Sequence, residues 1–511
     1  MIDANNSALI HEHALWALIE ARAQREPGGL FLVDELGREL AFEGYRDQVE
    51  SVAAGLCHVG VGAGTMVSWQ LPTWIESVVL VGALSRLGAI QNPMLPIYRG
   101  REVGFISQQL SPSMMICPST WRGFDYAAQA RVHANTEVLV CDRGEGLPTG
   151  DPATLPTAKP DVHRFGWVFY TSGTTADPKG ARHSDFTVGA PGRAMVHRFG
   201  MAGDDRCGLV FPFTHIGGIQ FVFAALYTGM TLVLVEAFDD DGIDFLSREG
   251  VTFTGAGTPF YLKYLERQQA QPDHPLFPNL RGFAGGGQTK PPHLHYEMLE
   301  AFDAPVLSGW GLTEFANIAM VDHQASDEHK ARTEGFANYG VELKAVLPDG
   351  SEAPPGIEGE LRAKGFHMHL GYADESLDAA AFDDDGYFIT GDLGIIDAEG
   401  YVEITGRAKD VIIRKGENVS AKEVEDALYT HAAVADVAVI GLTDPDRGER
   451  VCAIVVPAAE SAPPTLDDLT EHLAHVGLMR QKHPEQLEIA DTLPRNPAGK
   501  VLKEELRNRY R

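Results

Sequence analysis

The stretch that most constrains this chain is Phe165-Gly166-Trp167-Val168-Phe169-Tyr170, which runs directly into Thr171-Ser172-Gly173-Thr174-Thr175-Ala176-Asp177-Pro178-Lys179-Gly180. The first six residues read as a buried strand, and the strand empties into a loop of hydroxyls and glycines with one lysine. Glycine lets backbone N–H groups approach an anion, the hydroxyls of Thr171, Ser172, Thr174 and Thr175 donate further hydrogen bonds, and Lys179 supplies charge. This chemistry suits phosphate. The loop is not of the Walker type, because Lys179 is followed by Gly180 and not by Ser or Thr.

Around this loop, strands and helices alternate. Residues 66–71, 113–116 and 137–141 read as strands and 75–87 as a helix. Further on, 209–213, 231–235 and 251–255 are strand-like, with a helix over 259–268. That alternation predicts parallel sheets covered by helices, an α/β fold. With 511 residues, more than one domain is expected. The Pro-rich residues 147–160 read as a surface linker inside the large region. After Gly406 the pattern changes to helix 423–428, short strands 434–440 and 451–456 and helix 466–475, which predicts a separate small α+β domain. The sequence Ala-Phe-Asp-Asp-Asp-Gly occurs at 237–242 and again at 381–386. It lacks the ligand spacing and closing Glu of a calcium loop, so both copies read as turns.

Charge narrows the ligand. The chain carries 42 basic and 71 acidic residues, a net charge of −29, which argues against nucleic-acid binding and against docking on an anionic membrane. It leaves room for a small anion in a local basic pocket. The first residues lack the basic start and apolar run of a secretory signal, and no apolar stretch reaches membrane-spanning length. Five scattered cysteines without CxxC pairing read as reduced thiols, so a cytoplasmic location is expected.

Several further segments carry chemistry. Gly285-Gly286-Gly287 follows the strand-like 280–284, and Gly309-Trp310-Gly311-Leu312-Thr313-Glu314 follows 305–307. Glycines at strand ends let a flat base approach the backbone, and an aromatic ring can stack on it. Thr390-Gly391-Asp392 places a carboxylate after an apolar run, Gly406-Arg407-Ala408-Lys409-Asp410 marks the composition break, and Phe211-Pro212-Phe213-Thr214-His215 puts a histidine in an apolar setting. Ile413-Arg414-Lys415-Gly416-Glu417 and Pro494-Arg495-Asn496-Pro497-Ala498-Gly499-Lys500 bear the last basic groups. The other histidines, including the His11/His13 and His293/His295 pairs, read as surface residues.

Taken in this order, the segments resemble the adenylate-forming superfamily: acyl-CoA synthetases, peptide-synthetase adenylation domains and luciferases. The resemblance covers essentially the whole chain. It implies a large N-terminal domain, residues 1–407, of helix-covered parallel sheets with a small distorted barrel, and a small mobile C-terminal domain, residues 408–511, turning on a hinge near Lys409. In such an enzyme Ser172, Gly173, Thr174, Thr175 and Lys179 cradle the ATP phosphates. Gly285, Gly286, Gly287, Trp310 and Gly311 hold adenine, Trp310 standing where Tyr is usual. Thr313 contacts phosphate, Glu314 and Thr171 hold Mg²⁺, and Asp392 and Arg407 bind the ribose. His215 lies beside the acyl carboxylate, Lys500 is the catalytic lysine, and Lys415 and Gly416 lie near the path of CoA, with Lys415 where a second Gly is common. Ala176 replaces a common Gly without removing a donor.

The implied reaction is ATP-dependent activation of a carboxylic acid through an acyl-adenylate, then transfer to CoA. The segment around Lys415, and a chain that ends soon after Lys500, favour free CoA as acceptor. A separate carrier protein is the alternative, and a non-catalytic nucleotide-binding protein is a different class again. Residues 68–72 and 91–99 resemble ligases for alicyclic and medium-size acids such as cyclohexanecarboxylate. A homodimer is left open.

Overall fold

The computed structural model describes residues 14–171, 178–287, 290–415, 417–445, 447–459, 462–496 and 499–511. Ser172, Gly173, Thr174, Thr175 and Gly416, as well as His11 and His13, lie outside the described residues.

The fold is mixed α/β, with a large N-terminal part built on two mainly parallel sheets. The six-stranded sheet runs Gly180–Ser184, Phe165–Tyr170, Ile90–Pro93, Met66–Trp69, Met114–Cys117, Glu137–Val140. Only Gly180–Ser184 is antiparallel, pairing back onto Phe165–Tyr170 across the phosphate-loop segment. The helix Ile75–Leu87 is buried on nearly every side, so its apolar residues run all round rather than in one stripe. It stops at Gly88, whose φ of 69° closes the helix in the left-handed region.

The second sheet has nine strands. Its parallel centre is Val306–Trp310, Gly282–Gly286, Phe253–Ala256, Arg206–Leu209, Thr231–Leu234 and Leu30–Asp34, with antiparallel edges at both ends. Two expectations shift here. The strand expected at 209–213 lies at Arg206–Leu209, because Pro212 has no N–H for a ladder and the chain turns into the helix Ile216–Thr228 instead. Gly285 and Gly286 do not follow their strand but belong to it. A Cβ on Gly285 would meet Ala256 O at 2.2 Å, and one on Gly286 would meet Gly309 O at 2.3 Å. These glycines therefore serve the close approach of neighbouring strands. Gly287, at φ 80°, is the one that needs the left-handed region.

The barrel expected beside these sheets is a four-stranded antiparallel meander, Val341–Val346, Glu358–Gly365, Phe388–Ile396 and Val402–Arg407. Of the repeated acidic motif, the second copy is a turn, with Asp383 accepting from the backbone of Asp385 and Tyr387. The first copy is not. Asp239 caps the helix Asp240–Arg248 by accepting from the Gly242 N–H at 3.1 Å.

The small C-terminal part is a mixed sheet, Glu417–Ser420, Val411–Arg414, Gly448–Pro457 and Val434–Asp444, with Gln486–Ile489 parallel to Gly448–Pro457. Successive side chains point to opposite faces. Val437 and Val439 pack with Leu469 and Leu473 on one face, whereas Ala438 and Ile440 pack with Leu506 on the other. Among the described residues no helix is long and apolar enough to cross a membrane.

Candidate active site

The strand ends of the nine-stranded sheet, the meander and the small domain meet at a cavity of about 400 Å³. Thr171, Lys179, Glu314, Arg407, Lys409 and Lys500 all line it. A second cavity of about 210 Å³ adjoins it between the two parts and adds Trp310 and Asp392.

Asp392 is the best-anchored group. It sits within the strand Phe388–Ile396 and not past it, directly opposite Arg407 on the neighbouring strand. Arg407 Nε lies 2.7 Å from Asp392 Oδ1, and Trp310 Nε1 donates to Oδ2 at 2.8 Å. Asp392 is 3% exposed, so both donors offset the cost of burying its charge. Trp310 packs its ring against Phe315 and Ile318 while its polar edge faces Asp392. The sequence-predicted base and ribose contacts are thus physically joined.

Lys179 and Glu314 meet through a residue that sequence reasoning missed. Lys179 Nζ stands 5.4 Å from the ring centroid of Tyr372, and the Tyr372 hydroxyl donates to Glu314 Oε1 at 2.7 Å. Burial and the Glu314 carboxylate hold that hydroxyl protonated. Thr171 receives the Lys179 backbone N–H on its hydroxyl at 3.1 Å and donates its own N–H to Lys179 O, so the two ends of the loop are clasped together. Among the described residues no group of three His, Cys, Asp or Glu could hold a metal ion. Among the described residues lining the larger cavity Glu314 alone presents a carboxylate, with no hydrogen bond on Oε2 among those residues.

Beneath Thr313 and Glu314 lie the histidines expected on the surface. His183, His367 and His369 are buried, as is His295 outside the site. His183 Nε2 donates to Thr313 O at 2.9 Å, and the backbone N–H of His369 donates to Glu314 O at 2.8 Å. Burial first, then the neighbouring His369, lowers the His183 pKa to about 3, so it supports this turn as a neutral ring. Lone histidines in polar sequence give no signal of this, because contacts such as His183 with Thr313 O and His295 with Asp327 are made far along the chain.

His215 caps the helix Ile216–Thr228, its Nδ1 accepting from the Gly217 N–H at 3.0 Å. Burial lowers its pKa to about 4. The ring is therefore neutral near pH 7 with its hydrogen on Nε2, and it lines the cavity as a donor. Lys500 enters from the small domain, its backbone N–H fixed by Asn496 Oδ1 at 2.8 Å. Burial, with Arg407 next, brings its pKa down to about 8.

Two sequence-derived expectations fall away from the cavity. Lys415 is exposed on the hairpin between Val411–Arg414 and Glu417–Ser420 and lines neither cavity; its φ of 52° explains why glycine suits that position. Residues 68–72 and 91–95 are buried at the six-stranded sheet, with Ser68 Oγ on Asn92 Oδ1 at 2.9 Å and Gln70 Nε2 on Leu95 O at 2.9 Å, whereas Ile97 and Arg99 are exposed. None of them lines the larger cavity, but Pro93, Leu95 and Tyr98 border a small cavity together with His215 and Thr313.

A fold of this kind, with Thr171 and Lys179 flanking the phosphate-loop sequence, a buried carboxylate–guanidinium pair and a lysine entering from a second domain, matches an adenylating enzyme. The family model for AMP-binding enzyme matches residues 19–373, and that for the AMP-binding enzyme C-terminal domain matches 423–500. The chain belongs to the AMP-binding enzyme family and is an enzyme of its AMP-forming acid–CoA ligase class. It is 29% identical to the medium-chain fatty-acid–CoA ligase of Escherichia coli strain K12, over 94% of this chain and 88% of that one. To the indoleacetate–CoA ligase of Aromatoleum aromaticum it is 30% identical, over 92% and 93%. The ATP-bound crystal structure of MatB from Rhodopseudomonas palustris, 27% identical, matches with a TM-score of 0.88 over 98% of this chain and 99% of that one. Its apo form matches with 0.77.

Proposed function

We propose that the protein joins a hydrophobic carboxylic acid to CoA through an acyl-adenylate, releasing pyrophosphate and then AMP. The convergence of Lys500, Lys179, Glu314 and Arg407 on one cavity carries this reading. In the first step a substrate carboxylate oxygen attacks the α-phosphorus and pyrophosphate leaves. The nucleophile is already an anion, so the protein contributes positioning and charge neutralisation rather than proton transfer. Asp392 and Arg407 would hold the ribose and Trp310 the base, whereas Thr171 and Lys179 would hold phosphate. The single carboxylate of Glu314, helped by the Thr171 hydroxyl, fits Mg²⁺, which takes one or two carboxylates and completes its shell with phosphate oxygens and water. Mg²⁺ there would neutralise phosphate charge.

In the second step the CoA thiol displaces AMP. The boundary at 407/408, with Lys409 in the short turn Ala408–Asp410 as hinge, would let residues 408–511 turn and bring the hairpin bearing Lys415 and Gly416 toward the cavity. A protein with these reactants and five unpaired cysteines suits the cytoplasm. ATP–pyrophosphate exchange across a panel of acids, followed by CoA-dependent AMP release, tests the reading. Exchange without CoA-dependent release would favour a carrier protein as acceptor, a choice kept open by 28% identity to a 2,3-dihydroxybenzoate–AMP ligase of Vibrio cholerae.

The His215 geometry yields a prediction of its own. Replacing His215 by alanine should reorder the preferred acids while the KM for ATP stays within about twofold, since the ring faces the acyl side. A uniform loss for all acids, measured as kcat/KM, would reduce His215 to a helix cap.

A further inference from the structure

The apolar part of the larger cavity contains a polar pair with no role in the reading above. The helix Ile216–Thr228 turns Gly217, Gln220 and Phe221 to the cavity, spaced as one helical stripe, while Val222, Phe223 and Leu226 face the core. Gln220 is 2% exposed, and its Oε1 accepts from Asn317 Nδ2 at 2.5 Å. Asn317 is held in turn, since its carbonyl accepts from Asn338 Nδ2 at 2.6 Å and its φ of 50° suits asparagine. That leaves the Gln220 amide nitrogen and Asn317 Oδ1 without a hydrogen bond among the described residues. Exchanging O and N in both amides leaves the same balance, one donor and one acceptor. Met195, Phe199, Phe221 and Met320 line the same cavity.

Of the cavity's cations, Lys179 is tied to Thr171 and, through Tyr372, to Glu314, whereas Arg407, Lys409 and Lys500 gather about Asp392. A second carboxylate placed beside the amide pair would therefore meet neutral amides and apolar side chains and not one of these cations. A wholly apolar acid would bury the amide pair unmatched, and sites built to hydrogen-bond a substrate group reject the analogue that lacks it.

We infer that the acid is a monocarboxylate bearing a neutral hydrogen-bonding group, a hydroxyl or oxo, at the end remote from its carboxylate. This rests on the ligase reading and names the substrate class within it. The test is ATP–pyrophosphate exchange with three matched pairs: 4-hydroxycyclohexanecarboxylate, 4-hydroxybenzoate and 8-hydroxyoctanoate, each against its unsubstituted parent, with cyclohexane-1,4-dicarboxylate added. At least one substituted acid should exceed its parent about tenfold or more in kcat/KM, and the dicarboxylate should fall below the parent. Gln220→Met, similar in shape but without the amide, should bring that ratio to about one or below. Parents equal or better in all three pairs, a dicarboxylate that leads the panel, or a ratio unmoved in a folded Gln220→Met would each overturn the inference. If Gln220→Met does not fold, the wild-type ratios decide. No exchange with any acid would overturn the ligase reading and the inference with it, whereas exchange indifferent to the substituent overturns the inference alone.

Discussion

Lys500→Ala is expected to depress adenylation about 100-fold or more, as loss of a preorganised charge at the reacting phosphate does, and yet to leave conversion of supplied acyl-AMP and CoA nearly intact. Lys500 lines both cavities alongside Arg407 and Lys409, so several cations converge where the triphosphate and carboxylate would sit. Their mutual repulsion opposes closure until anions arrive, and pyrophosphate departure weakens the attraction again. On the proposed scheme the domain would then turn, with Lys500 leaving the site. Lys409→Pro, which fixes φ in the connecting turn, should accordingly harm thioester formation more than adenylation. Equal slowing of both half-reactions in Lys500→Ala would exclude this two-conformation scheme. The lysine also sets a pH limb. With its pKa lowered to about 8 by burial and Arg407, Lys500 is charged below pH 8 and loses its proton above it. Adenylation kcat/KM for ATP should therefore fall as pH rises through about 8, and Lys500→Arg, which keeps its charge, should flatten that limb.

What the sequence made legible depended on whether a residue's partner was near in the chain or its type unusual. The strand Phe165–Tyr170 and the helix Ile75–Leu87 were readable because a run of apolar residues bounded by glycine or polar loops has few other solutions. Trp310, Glu314, Asp392, Arg407 and Lys500 were singled out through the motifs around them, and the structure gathers all five at adjoining cavities. Tyr372 and the buried histidines 183, 367 and 369 were not found. Their value comes from contacts such as Tyr372 with Glu314, 58 positions apart, and His183 with Thr313, 130 apart, which no local pattern encodes. The glycines of 285–287 were found for an incomplete reason: interstrand crowding fixes the first two, and only Gly287 needs a special φ. Gln220 was hidden inside an apolar helix, where its polarity is informative only once Asn317 is seen beside it.

Asp392→Ala should raise the KM for ATP roughly 10- to 150-fold, the equivalent of about 1.5–3 kcal/mol for a lost charged acceptor. The carboxylate serves two donors in the free protein, Arg407 Nε on one oxygen and Trp310 Nε1 on the other. Truncation removes the acceptor for a ribose diol, leaves the indole N–H unpaired, and frees Arg407 from the position it holds across the strand pair. All three effects fall on nucleotide binding, so the KM for the acid should change far less. Asp392→Asn separates them: it keeps an acceptor for Trp310 and loses the charge that holds Arg407, and it should lie between wild type and alanine. Because Asp392 is an interior strand residue, circular dichroism and thermal unfolding must first show that each variant is folded. Unchanged ATP affinity in a folded Asp392→Ala would mean that the Trp310–Asp392–Arg407 cluster is a structural brace between the sheet and the meander, and the nucleotide would then have to be sought in the part of the cavity nearer Lys179 and Glu314.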